Sequence, residues 1–63
     1  NSDKAKLILV YLSETKEATV TELKDVLSIR LLEVYSILRE LVEKDLVEKL
    51  EQDTYRLSAD PVF

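Results

Sequence analysis

The chain contains no glycine, cysteine, histidine, methionine or tryptophan, and a single proline. Without cysteine or histidine there is no zinc ribbon, catalytic thiol, imidazole base or disulfide staple. The redox compartment is left open by the same absence. Long apolar runs are missing too. The longest, residues 7–12, is six residues, far short of the ~18 that span a membrane. Positive charge is scarce: nine Lys and Arg face 13 Asp and Glu, a net charge of −4. Dedicated nucleic-acid binders usually carry a basic stripe, and this balance argues mildly against one.

What remains is a chain of 63 residues with 46% hydrophobic content, which suits one globular domain rather than a disordered segment. A domain of that size buries only about 60% of what its unfolded chain exposes. It can hardly wall off a substrate pocket of several hundred Å³. No enzyme activity, cofactor, metal or small-molecule substrate is therefore expected. The carboxylates Glu40, Glu43 and Glu48 suggest a solvated face, since nothing nearby would desolvate a catalytic pair. The opening Asn1-Ser2 without a methionine suggests a domain excised from a larger protein.

Periodicity divides the chain into six elements. Over 2–13, Ala5, Ile8, Leu9 and Leu12 recur at i, i+3, i+4 and i+7, a helix capped by Ser2 or Asp3. Residues 13–16 read as a loop. Ala18, Thr19 and Val20 are rich in β-branched side chains and suffice for one bridge of a small sheet. A short second helix runs to Leu27, with Leu23, Val26 and Leu27 on one face. Thr21 offers a hydroxyl cap for it, and Thr19 with Glu22 makes the alternative capping box. A tight turn at 28–30 leads to a third helix over 31–44, with Val34, Ile37, Leu38 and Leu41 as its core stripe. Asp45 is expected to take the left-handed conformation that ends a helix, in place of glycine. Residues 46–50 and 54–58 are strand-like and joined at hairpin distance. Val47 and Lys49 share one face and Leu46, Glu48 and Leu50 the other, while Tyr55 and Leu57 lie together. Residues 59–63 read as a tail or linker.

Helix, short strand, helix, tight turn, helix, hairpin: the order resembles a winged helix-turn-helix, over about 4–58. The residues from Ala18 to Leu27 and from Val34 to Val47 are similar to the MarR-like and TrmB-like transcriptional regulators. Asp45 and Ser28 depart from that pattern, since those families usually carry glycine there. The fold class implied is α+β, mostly α, with three helices plus a small antiparallel β-hairpin wing. The resemblance further implies a DNA-binding domain with helix 31–44 as recognition helix and 46–58 as wing. Such a regulator is intracellular, cytoplasmic or nucleoid-associated, and dimerises through its first helix, its tail or regions beyond the domain.

Mapped onto this chain, the reading positions are Arg30, Leu31, Leu32, Tyr35, Ser36 and Arg39. Lys24, Lys49 and Arg56 are additional phosphate-contact candidates. Good base readers would be Arg, Lys, Asn or Gln; within the helix only Arg39 and Ser36 qualify strongly, with Tyr35 as a hydroxyl donor. The apolar surface continues past the core stripe through Leu31, Val42, Tyr35 and Leu32. Either Leu31 and Val42 complete the core, or the patch is a protein hot spot. Arg30, beside a positive helix end, either meets a phosphate or pairs with Glu33 or Asp25. The third helix with its flanks is neutral and the hairpin carries −1, so neither has surplus positive charge to neutralise phosphates. Lys4, Lys6, Lys16, Lys24 and Arg30 either gather into a patch through the fold or stay solvated. The alternative is therefore a protein–protein interaction module in a replication, transcription or scaffolding assembly. It would hold its partner through Leu31, Leu32 and Tyr35 or through a lightly guarded hairpin edge.

Overall fold

Helix α1, Ser2–Thr15, buries Ile8 and Leu12 and packs Ala5 and Leu9 partly against the same core. The computed structural model describes residues 2–58; the tail expected at 59–63 lies outside the described residues. The helix runs through part of the expected loop. Ser13 Oγ donates to the Val10 carbonyl at 2.7 Å and Thr15 Oγ1 to the Tyr11 carbonyl at 3.1 Å. Inside a helix, serine and threonine hydroxyls commonly bond back to the preceding turn in this way. Termination comes at Lys16, with φ of 77° and its N–H on the Leu12 carbonyl.

Strand β1 is Glu17–Thr19, one residue earlier than expected, because Thr19 is the helix cap. Its Oγ1 accepts the Glu22 N–H at 3.1 Å, so α2 spans Val20–Leu27 and Thr21 is not the cap. Leu23 is fully buried and Leu27 partly, but Val26 is exposed: eight residues present too narrow a face to bury all three. Ser28 ends α2 with φ of 56°, and Ile29 drops into the core.

Helix α3, Leu31–Glu43, buries the stripe Val34, Ile37, Leu38 and Leu41. Lys44 is its C-cap and Asp45 follows at φ 61°, as its residue type suggested. The Asp45 N–H bonds the Val42 carbonyl and the Leu46 N–H the Leu41 carbonyl, both at 3.0 Å. That is a Schellman closure built without glycine.

Strands β2, Val47–Glu51, and β3, Thr54–Leu57, make a hairpin around Gln52 and Asp53. The sheet has three strands in the order β1-β3-β2, all antiparallel, with a register shift between Lys49 and Glu51. Val47 pairs Leu57 and Lys49 pairs Tyr55, so these share the face turned to the helices, where Val47 and Tyr55 are buried. The fold is a winged helix-turn-helix, with 61% of the described residues helical.

Candidate nucleic-acid interface

Helix α3 turns its stripe Val34, Ile37, Leu38 and Leu41 inward, and at about 100° per residue the opposite face carries Leu32, Ser36, Arg39 and Glu43. Packing uses none of these four. Leu32 is 81% exposed and Leu31 42%, so Leu31 does not complete the core, whereas Val42 packs partly against it. Arg39 stands in solvent with its Nε 3.7 Å from the Glu43 carboxylate one turn on. An exposed pair of that length is worth well under 1 kcal/mol and yields readily to another anion.

Tyr35 faces the wing. Its hydroxyl donates to Asp53 Oδ1 at 3.0 Å, and this bond to a carboxylate holds the phenol pKa above the usual tyrosine value. Asp53 also accepts the Val20 N–H through its carbonyl at 2.9 Å. The wing turn is thus tied to both α2 and α3. Nothing in the sequence pointed to Asp53, because an 18-residue separation becomes a contact only once the hairpin has folded over α3.

Two parallel ties hold the helices. Tyr11 donates to Glu22, joining α1 to α2, and that carboxylate raises the Tyr11 pKa. Lys4 Nζ meets Glu33 Oε2 at 2.8 Å, joining α1 to α3 and lowering the Glu33 pKa. Glu33 thus makes its close ion pair with Lys4, and Arg30 acts on it only as a more distant charge. Asp25 pairs with Lys24 rather than Arg30, at 3.0 Å.

Among the described residues, ion pairs engage Lys4, Lys24, Arg39, Lys44 and Arg56, and none engages Lys6, Lys16, Arg30 or Lys49. The imagined patch of Lys4, Lys6, Lys16, Lys24 and Arg30 thus loses Lys4 and Lys24 to neighbouring carboxylates. Arg30 stands at the α3 N-cap with no side-chain cap bond. Lys49 lies on the helix-facing side of the wing, beside Tyr55. Arg56 is held at 2.9 Å by Glu48, its cross-strand neighbour, and Glu17 flanks it from β1. The wing edge is better guarded than its length implied. Edge strand β2 carries Glu48, Lys49, Glu51 and the register shift, all of which discourage strand addition.

No helix among the described residues is long and apolar enough to cross a membrane. No curated protein and no solved structure matches the chain. A family model described as sugar-specific transcriptional regulator TrmB matches residues 4–62. With its winged-helix elements in that order, the chain belongs to the TrmB family of transcriptional regulators, which is not an enzyme family, and carries the family's DNA-binding domain.

Proposed function

We propose that α3 is the recognition helix of this domain and enters the major groove of a duplex, with the wing on the adjacent backbone. The observation that carries the reading is the outward stripe Leu32, Ser36 and Arg39, which the core does not use. Arg30 stands at the start of the same helix and Lys49 on the wing, neither of them in an ion pair among the described residues. Side chains near the start of such a helix meet base edges, while flanking cations meet phosphates. Arg30 at the N-cap supplements the positive end of the helix there. With so few free cations the affinity of one domain is modest, and a second copy of the chain would double the contacts.

A duplex-DNA titration at two salt concentrations tests this. Binding should weaken steeply with salt, and Arg30→Ala and Lys49→Ala should each lower the salt slope by about one. Lys6→Ala, by the C-terminal end of α3, should leave it unchanged. Failure to bind any duplex at low salt would remove the reading. The survivor would then be a protein partner seated on Leu31 and Leu32, a reading that their exposure supports.

A further inference from the structure

Leu32 is the second residue of α3 and is 81% exposed. A leucine there contributes almost nothing to folding, and its helix neighbours Ser36 and Arg39 offer it no apolar cover. Its side chain is left free for whatever α3 meets. If α3 lies in a major groove, as proposed above and on which this inference rests, the chemistry of that groove is restrictive. Base edges present hydrogen-bond donors and acceptors, and a single apolar group, the C5-methyl of thymine. An aliphatic side chain can recognise only that group.

We infer that Leu32 seats against a thymine methyl and that Arg39 reads a guanine about three base pairs away. The spacing follows from the helix: seven residues rise by about 10 Å, roughly three base-pair steps of about 3.4 Å. Arg39 reaches the O6 and N7 acceptors of guanine in the bidentate manner of a guanidinium, exchanging its loose contact with Glu43 for them. Ser36, between the two, is small enough to let the helix axis approach the groove floor. Tyr35 does not compete for a base, because its hydroxyl is bonded to Asp53. The preferred site therefore contains a T·A pair and a G·C pair at a fixed separation of about three steps.

The test starts from a pool of random duplexes, from which the 63-residue chain selects its best-bound sequence. Each thymine is then replaced singly by deoxyuridine, which deletes the methyl and nothing else. One replacement should weaken wild-type binding by about fourfold, the scale of one buried methyl group. The same replacement should leave Leu32→Ala binding unchanged, and Leu32→Ala should keep its wild-type circular dichroism. Selection by Arg39→Ala should lose the guanine and keep the thymine. Three outcomes overturn the inference while duplex binding persists. Deoxyuridine could be neutral everywhere, or equally harmful in Leu32→Ala, or binding could depend on salt with no base enriched. The last leaves the DNA-binding reading intact, whereas no duplex binding at all removes both.

Discussion

At Lys16, Ser28, Asp45 and Asp53 the backbone takes φ of 77°, 56°, 61° and 67°, all in the left-handed region. A chain without glycine has to make every such turn with a side chain present, at a steric cost of about 1 kcal/mol or more for most residue types. Serine and aspartate bear it best, because their short polar groups bond locally. Three of the four positions follow that rule. Lys16 does not, since no left-handed tolerance is written in a lysine. Replacing Asp45 by glycine should stabilise the fold by about 0.5–1 kcal/mol, and Lys16→Gly by at least as much. Urea midpoints with unchanged m-values would verify both; a loss of stability at Lys16 would mean that its side chain supports the turn. Thr19 illustrates the opposite case. Its hydroxyl cap and Glu22 three residues on were legible in the sequence as one of two options. Only the geometry of β1 decided between them.

The elements themselves were readable where periodicity was strong. The core stripe of α3 came directly from i, i+3, i+4, i+7 spacing, and every residue of it is buried. Exposure around the rest of the helix was less legible, because Leu31 and Leu32 have the same hydrophobicity as Leu38 and differ only in angle. Pairings between elements were the least legible. Lys4 with Glu33, Tyr11 with Glu22 and Tyr35 with Asp53 each join residues at least 11 apart, and sequence offers many equivalent donors and acceptors. The tie between α3 and the wing makes an element-level prediction. Tyr35→Phe should speed amide hydrogen exchange at Val20 and in the wing turn several-fold, with little change in global stability, since local opening need not be global. Unchanged exchange would mean that the Val20–Asp53 backbone bond holds the turn alone.

For the molecule as a whole, the acidic balance reappears as pairing. Most of the cations near the proposed interface already have a carboxylate, and Arg30 and Lys49 are the exceptions among the described residues. Acid stability should carry the same signature. The Lys4 hydrogen bond keeps the Glu33 carboxylate ionised below the ordinary glutamate value of about 4.3. In that window the unfolded state binds the proton and the folded state does not. The tie therefore contributes fully above it and is lost as pH falls through the folded-state pKa. Stability measured from neutral pH downward should fall less steeply in Glu33→Gln than in wild type, and parallel curves would show that the tie is too exposed to contribute.

The wing takes part in the core. Its last strand, β3, is the middle of the sheet, and β1 has no other strand to pair with. During synthesis the sheet cannot close until residue 57 has emerged. Once closed, Val47 and Tyr55 are packed among the helices and the turn is fastened at Val20 and Tyr35. Swinging the wing would mean opening the hydrophobic interior. The distance between α3 and the wing is thus set by the packed core and not by a hinge.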